Sequence, residues 1–254
     1  MATLHNQIVV DQFGKQAACF ARLSGHEEAT RLLIELAELV PDDEVLDVAC
    51  GPGLVACAIA PNVRHVVGVD LTPAMIDQAR ALQSRRGLSN LEWHIADVST
   101  LPFDNDQFSA VLTRYSLHHF VAPERVLSEM VRVATPGSRV VVADLVLPAE
   151  HGRDYDCMEK LRDPSHVRVL SNAEVGELMT RVGLVDLRWA GYLFELELNT
   201  LLRASFPLPG DAERVQELFE RDVGMNRMGI GVHRSGGEIR FAYPIVVAAG
   251  RKPE

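Results

Sequence analysis

The sequence has few cysteines, and none of them forms a recognisable pattern. Four occur among 254 residues, with no Cys-x-x-Cys pair and no histidine at ligand-like spacing. This excludes a disulfide framework and a cysteine–histidine zinc site. We expect reduced, mostly buried thiols and no bound metal, the four residues being Cys19, Cys50, Cys57 and Cys157.

Basic residues and long apolar runs are also scarce. Lys and Arg total 25 against 35 Asp and Glu, so the formal net charge is −10. Such a balance argues against unassisted binding to nucleic acid or to an anionic membrane. No apolar run approaches the length of a membrane span, and residues 1–7 lack the features of a signal peptide. We predict a cytoplasmic protein with a small-molecule partner, and leave open whether it forms a homodimer.

Short β-rich runs alternate with helical patterns from about residue 45. The alternation predicts an α/β fold with a Rossmann-like, doubly wound, mostly parallel seven-stranded sheet whose last strand is antiparallel. Helices are expected at the N-terminus, where Leu32, Leu33 and Leu36 share one face before Pro41, and in an insertion over residues 146–225. The predicted strands are Val45–Ala49, His65–Asp70, Leu91–Ala96, Phe108–Thr113, Ser138–Leu145, one around Leu184–Ala190, and Ile245–Ala249.

A glycine-containing turn follows the first predicted strand and precedes an apolar helix beginning at Leu54. Gly51 and Gly53 allow the backbone to approach a ligand without an intervening Cβ, and amides at the helix start would face that ligand. The spacing from Gly51 to Ala56 also fits a dinucleotide fingerprint. A tight turn with no ligand is the structural alternative.

Acidic residues end the next two predicted strands. Asp70 at such a tip can accept hydrogen bonds from both hydroxyls of a ribose. Its alternative role, capping the following helix, is already filled by Thr72 in the predicted N-cap position. Asp97 can accept from an exocyclic amine while the Val98 amide donates to a ring nitrogen, a pairing that recognises an adenine edge. Since ligands bind at the carboxyl ends of parallel strands, we expect Asp47, Asp70 and Asp97 to border one crevice.

With these features, the sequence resembles the class I S-adenosylmethionine-dependent methyltransferases, in particular their ubiquinone/menaquinone-biosynthesis-like branch. The resemblance extends over about residues 40–145 and consists of several motifs in order. These motifs are Val45–Gly53, Gly68–Asp70, Ala96–Val98 with Leu101–Phe103, Phe108–Val111, Tyr115–Phe120, Glu129–Val133 and Pro136–Val140.

The resemblance implies that S-adenosylmethionine is the cofactor. Gly51 and Gly53 would then line its methionine portion with Asp47 beneath the turn, Asp70 would hold the ribose, and Asp97 and Val98 the adenine. Arg114 would lie beside the cofactor. Ala49 stands where the family most often has a glycine, and Ser138 where a second glycine often follows Pro-Gly. Neither change removes a polar contact. The remaining implied cofactor residues are Ala49, Leu71 and Met75.

The resemblance also implies a single methyltransferase domain. Its expected parts are a helical extension or lid over 1–40, a cofactor-binding core over 41–145, a helical acceptor-pocket region over 146–225, and final strands over 226–254.

Histidines are the candidates for catalysis, because their pKa suits proton abstraction near neutral pH. His118 and His119 follow the fourth strand at the expected site, although either could simply shape the loop. Tyr115, His166 and Arg168 are candidates for binding the methyl acceptor. For Arg168 the alternative is an internal ion pair with Asp163. His26 would join them if the N-terminal segment closes over the site. Further candidate lining residues are Phe13, Phe20, Tyr155, Met158, Leu161, Phe206 and Met225.

The predicted activity is methyl transfer from S-adenosylmethionine to a carbon or oxygen of a small, partly apolar organic acceptor. One alternative keeps the fold and the cofactor without methyl transfer, as a binding module or rearrangement catalyst. A NAD(P)-dependent oxidoreductase is the other, but no Ser-Tyr-Lys or similar hydride-transfer set accompanies the glycines.

Overall fold

A computed structural model describes residues 4–20 and 27–254 of the chain. Helices and strands alternate through its first two thirds, and the remainder combines long strands with further helices. The described helices are α1 Leu4–Phe20, α2 Glu27–Ala37, α3 Leu54–Ile59, α4 Pro73–Arg86, α5 Pro123–Val133, α6 Ala149–Arg162, α7 Asn172–Arg181, α8 Leu198–Ala204 and α9 Asp211–Asp222. The described strands are β1 Glu44–Val48, β2 His65–Asp70, β3 Leu91–Ile95, β4 Phe108–Arg114, β5 Ala134–Leu145, β6 Val185–Glu197, β7 His233–Ser235 and β8 Glu238–Arg251.

The strands form one sheet in the order β3-β2-β1-β4-β5-β8-β6, and β7 pairs with β8. β1 to β5 pair in parallel, and β8 runs antiparallel to its neighbours β5 and β6. The expected Rossmann-like sheet with an antiparallel last strand is confirmed. Within the described residues, β7 is an additional short strand in a hairpin with β8.

β6 and β8 extend well beyond the segments predicted for them. The last pair between β5 and β8 is Leu145 with Ile245, whereas β6 continues to pair with β8 as far as Glu197 and Arg240. Because β8 is antiparallel, its first half projects past the carboxyl end of β5. The strand predicted around Leu184–Ala190 is therefore present, but its predicted end was wrong, since it continues to Glu197. Polar residues on the exposed face of this ribbon conceal it from a search for apolar runs.

Helices cover both faces of the sheet. On one face, α5 buries Val126, Leu127 and Met130 against the strands. On the other, α2 buries Leu33 and α3 buries Val55. Each such side chain contributes about 1.5–3 kcal/mol when removed from water. The core therefore fixes the strands whose carboxyl ends carry the predicted site residues.

A third apolar cluster lies beyond the carboxyl end of β5. It joins α6, α9 and the projecting part of β8, with Tyr155, Met158, Phe219 and Phe241 buried at its centre. This cluster builds a wall beside the edge of the sheet where ligands bind in such folds.

Two helix ends carry well-known terminal motifs. Gly87 ends α4 at φ 64°, and Ser171 with Glu174 forms a capping box at the start of α7. Thr72 holds the N-cap position of α4, but its side chain makes no capping bond and its buried Oγ1 lacks a partner among the described residues. Among those residues, no helix is long and apolar enough to cross a membrane.

Candidate active site

The turn between β1 and α3 adopts a left-handed backbone at three positions. Ala49, Gly51 and Gly53 have φ values of 54°, 51° and 75°. Ala49 therefore adopts the conformation for which glycine is usually preferred. At Gly53 a side chain would meet Trp93, since an added Cβ would lie 2.6 Å from Cη2 of that indole. The turn is held in shape by close packing as well as by its glycines.

The three predicted strand-tip acids each accept backbone hydrogen bonds. Asp47 Oδ2 accepts from the Ala56 amide at 3.1 Å. Asp70 accepts from the amides of Gly51 at 2.9 Å and Thr72 at 2.8 Å, so it ties the glycine turn to the start of α4. Asp97 Oδ1 accepts from the Ser99 amide at 2.9 Å.

All three acids line one cavity of about 540 Å³ at the carboxyl edge of the sheet. The crevice expected from the strand tips is thus present in the structure. Gly53 lies outside the lining, since it packs beneath the turn against Trp93 and Ala79. The other predicted cofactor residues line the cavity: Asp47, Ala49, Gly51, Asp70, Leu71, Met75, Asp97, Val98 and Arg114.

Helix α1 covers part of this cavity. Asn6 donates to Asp97 Oδ2 at 2.7 Å, and His5 Nε2 lies 2.8 Å from the His119 carbonyl. The Phe13 ring packs edge-on against His119, with centroids 4.9 Å apart. The sequence patterns point to neither His5 nor Asn6 as a site residue. Neither lies near the site in sequence, and only the packing of α1 brings them there.

Burial raises the pKa of the Asp47 carboxyl to about 7, even though the Arg114 guanidinium opposes this shift. The pKa of Asp70 is also raised, again mainly by burial and against the bonds from Thr72 and Gly51. A cationic ligand in the cavity would favour the charged form of both acids. A sulfonium and an amino group, as carried by S-adenosylmethionine, fit these surroundings.

The raised pKa of Asp47 predicts a stability that falls with rising pH. Between about pH 4 and pH 7 the unfolded chain ionises Asp47 while the folded protein keeps it protonated, which costs at most ~1.4 kcal/mol per pH unit. Asp47→Asn, which keeps an acceptor for Ala56, should remove that slope. Urea unfolding at several pH values measures it, and an unchanged slope in the variant would contradict the assignment.

Arg114 ends β4, Tyr115 follows it, and the two residues connect the cavity to α2 and β6. Arg114 Nη1 donates to Thr30 Oγ1 at 3.3 Å, and its guanidinium carbon lies 5.1 Å from the centroid of the Tyr115 ring. The hydroxyls of Tyr115 and Tyr192 are 2.7 Å apart. Both Arg114 and Tyr115 line the cavity, and their roles toward the cofactor and the acceptor stay predictions.

The two adjacent histidines lie in different surroundings. His118 Nδ1 is 2.6 Å from Oδ1 of buried Asp144. Although burial acts against it, this carboxylate holds the pKa of His118 above its ordinary value. Burial and the neighbouring His118 lower the pKa of His119 to about 3, and its Nδ1 lies 3.1 Å from the Ser165 carbonyl. His118 is therefore the stronger base of the pair.

The structure does not bring His166 and Arg168 to the cavity. The His166 side chain is fully buried, with Nε2 2.7 Å from Asp156 Oδ1. Arg168 is half-exposed and pairs with Glu174 at 2.8 Å, so the alternative Asp163–Arg168 ion pair is absent. Asp163 accepts instead from Gln16 and Ser165. His26 and the Phe20 side chain, which the sequence also suggested, lie outside the described residues.

A second cavity of about 130 Å³ adjoins the first. Phe13, Tyr115 and His119 line both. Tyr155 is also a lining residue, as expected, whereas Met158 and Leu161 belong to the core cluster, Phe206 does not line either cavity and Met225 is exposed. The sequence missed several polar residues of this lining, which lie far apart in the chain: Gln16, Glu159, Arg162, Asp163, Ser205 and Tyr243.

The cysteines only partly match the expectation of buried thiols. Cys50 and Cys57 are buried and free, and Cys157 is free but exposed on α6. Cys19 lies among the residues whose side chains are outside the description.

Comparison with known proteins agrees with the geometry. A family model described as "Methyltransferase domain" matches residues 46–142, the region that contains β1 to β5 and most of the cavity residues. The uncharacterized methyltransferase YcgJ of Bacillus subtilis is 31% identical over 166 residues, which cover 64% of this chain and 66% of that protein. Its crystal structure superimposes with a TM-score of 0.83 at 24% identity, covering 90% of this chain and all of that one.

Two further relatives have named activities. The demethylmenaquinone methyltransferase of Clavibacter sepedonicus is 34% identical over 135 residues, covering 52% of this chain and 54% of that one. A geranyl diphosphate C-methyltransferase from Streptomyces coelicolor, solved with S-adenosyl-L-homocysteine, has a TM-score of 0.61 at 18% identity and covers 89% of this chain and 79% of that one. The chain spans between about half and two thirds of the first curated relatives it matches. Since the methyltransferase match falls on the strands that carry the cavity's acids, the chain belongs to the class I S-adenosylmethionine-dependent methyltransferases, with S-adenosylmethionine as cofactor.

Proposed function

We propose that this chain transfers a methyl group from S-adenosylmethionine to a carbon or oxygen of a small, partly apolar organic acceptor. The observation that carries the proposal is the single cavity in which Asp47, Asp70 and Asp97 meet at the carboxyl edge of the sheet. Its volume of about 540 Å³ is ample for a nucleoside with an amino-acid side arm.

The roles proposed for the residues follow from their positions. Asp70 retains lone pairs for two ribose hydroxyls while it accepts from Gly51 and Thr72. Asp97 and the Val98 amide would hold the adenine, and Asp47 with the glycine turn would hold the methionine portion. When bound, the cofactor supplies an activated methyl group on a sulfonium. The remaining task of the protein is to align an acceptor with that methyl and to exclude water.

Parts of the chain outside the strand tips would form the acceptor side. α1 lies over the first cavity, and α6, α8 and the projecting part of β8 surround the second. The lining combines aromatic and aliphatic side chains with a few polar groups, a composition that suits a partly apolar organic molecule. The extension over 1–40 and the acceptor-pocket region over 146–225 stay predictions.

Thermal unfolding tests the cofactor part of the proposal. S-adenosylhomocysteine at about 100 times its dissociation constant should stabilise the protein by ~2.7 kcal/mol, which raises Tm by roughly 5–10 °C in a chain of this size. NAD and NADP should leave Tm unchanged. Stabilisation by a dinucleotide alone would instead support an oxidoreductase. Transfer of a labelled methyl to a panel of metabolites then tests the reaction itself.

A further inference from the structure

The second cavity has room for one small ring. It measures about 130 Å³ and shares Phe13, Tyr115 and His119 with the first cavity, so the two are neighbours across these side chains. An apolar protein cavity of about 150 Å³ holds one benzene molecule. One side of the lining is likewise apolar, with Leu145, Phe194, Leu196, Leu201 and Ile245.

The charged groups on the opposite side of the lining already have hydrogen-bond partners within the protein. Arg162 binds Glu159 through two nitrogens and donates to Ser205 Oγ at 3.0 Å. Asp163 accepts from the Ser165 amide at 2.9 Å and from Gln16 at 3.1 Å. Among the described residues that line this cavity, two carboxylates, Glu159 and Asp163, accompany one guanidinium, that of Arg162. An anionic group placed beside these carboxylates would therefore be repelled, so a ligand that enters this side of the cavity neutral is favoured.

Two lining groups remain available for such a neutral ligand. The Nδ1 atom of His118 is bound to Asp144, so Nε2 is the nitrogen left for a ligand, and the His118 ring lines this cavity. Tyr243 also lines it, and its buried Oη has no close hydrogen-bond partner among the described residues, although the Tyr155 hydroxyl lies near enough to lower the Tyr243 pKa. Burial raises the pKa of Tyr243, so its hydroxyl stays protonated and can donate. A buried unpaired hydroxyl is costly unless a ligand satisfies it.

We infer that the second cavity binds the methyl acceptor as a neutral, ring-sized molecule with one acidic hydroxyl. His118 takes the proton of this hydroxyl, and Asp144 positions His118. Tyr243 donates a hydrogen bond to the acceptor. The inference rests on the proposed function and deepens it. In this arrangement His118 is the catalytic base, Asp144 a positioning residue and Tyr243 a specificity-determining residue.

The bonds balance without any further reactant. The O–H bond of the acceptor breaks and its proton moves to Nε2 of His118. The oxygen uses an electron pair to bond to the methyl carbon, and the carbon–sulfur bond breaks with its pair left on sulfur. The imidazolium then returns the proton to solvent. Asp144 offsets the positive charge on His118 while that proton is held.

The surroundings of His118 predict the pH at which it becomes a base. Asp144, Glu159 and Asp163 favour its protonated form and act against burial, which favours the neutral form. The neutral form therefore appears as pH rises through a value above the ordinary histidine pKa. The other titratable groups that face it are Arg162, His119, His166, Tyr115, Tyr155 and Tyr243.

The test uses 4-nitrophenol, whose ionised form absorbs visible light, added to the protein loaded with S-adenosylhomocysteine. We expect it to bind and to ionise below the pH at which it ionises free in solution. In His118→Asn, whose amide can still bond to Asp144, the phenolate signal should fall at least 100-fold relative to bound phenol. In Asp144→Asn the ratio of phenolate to phenol at full occupancy should fall about tenfold, because His118 becomes a weaker base.

Further variants locate the probe. Tyr243→Phe should raise the dissociation constant of 4-nitrophenol about tenfold. Ala204→Phe, which fills the cavity from α8, should abolish 4-nitrophenol binding while S-adenosylhomocysteine still binds. His233→Asn, on the exposed strand β7, should behave as wild type. 4-Nitroanisole, which lacks the hydroxyl proton, should bind more weakly.

The outcomes separate this inference from the proposed function. If S-adenosylhomocysteine binds but 4-nitrophenol does not, or if its ionisation is the same in His118→Asn, the inference is overturned and the proposed function stands. Binding that survives Ala204→Phe would likewise overturn it by placing the probe elsewhere. If S-adenosylhomocysteine itself does not bind, the proposed function fails first.

Discussion

Asp70→Ala should raise the dissociation constant of S-adenosylhomocysteine about 100-fold. The carboxylate accepts from the amides of Gly51 and Thr72 and is proposed to accept from two ribose hydroxyls. Hydrogen bonds to a charged group contribute about 1.5–3 kcal/mol each, so the loss of the ribose bonds alone is worth about 3 kcal/mol. Isothermal titration calorimetry measures the change.

The matched control lies on the helix that follows. Asp77 on α4 is largely exposed, and its Oδ1 lies 3.7 Å from Nη1 of Arg80. Asp77→Ala should leave the dissociation constant unchanged, because a surface ion pair of this kind contributes little. An equal dissociation constant in Asp70→Ala and wild type would remove Asp70 from the ribose role.

Gly53→Ala should destabilise the fold by about 3 kcal/mol. The residue has φ 75°, and its added Cβ would lie 2.6 Å from Trp93 and 2.9 Å from the Ala79 Cβ. The left-handed backbone accounts for about 1–2 kcal/mol of the loss, and overpacking for about 1–3 kcal/mol more. The free energy of unfolding in urea is the measurement.

Gly87→Ala separates these two causes. Gly87 has φ 64° at the end of α4, and an added Cβ would meet nothing within 4 Å. Its replacement should cost only the backbone part, about 1 kcal/mol. Equal losses at the two glycines would show that the contact with Trp93 does not constrain the turn.

The sequence is most informative where the relevant residues are close together in the chain. The strand, the glycine turn and the acids at Asp70 and Asp97 are local features, and strand order follows from the rules of parallel α/β sheets. The capping box of α7 is local for the same reason: Ser171 and Glu174 lie three residues apart. A pattern that depends on one segment can be interpreted before that segment's neighbours are known.

Local sequence patterns did not predict the full length of β6 and β8. Residues 193–197 of β6 and 240–244 of β8 pair with each other beyond the end of β5, where one face is exposed. These segments contain Glu195, Glu197 and Arg240 as well as Pro244, so no continuous apolar run marks them as strands in the sequence. Their strand conformation is stabilised by partners about 45 residues away in the chain, and no local signal specifies those partners.

The sequence by itself determined the Rossmann-like core, its turn and the acids that border one cavity, because these features depend on residues adjacent in the chain and on strands that pair by general rules. Tertiary structure decided how the two neighbouring histidines differ. Asp144 raises the proton affinity of His118, while burial lowers that of His119. It also decided that His5 and Tyr243 join the cavities and that His166 and Arg168 do not. Proton affinity and access depend on burial and on charges brought from distant segments, and these exist only once the chain has folded.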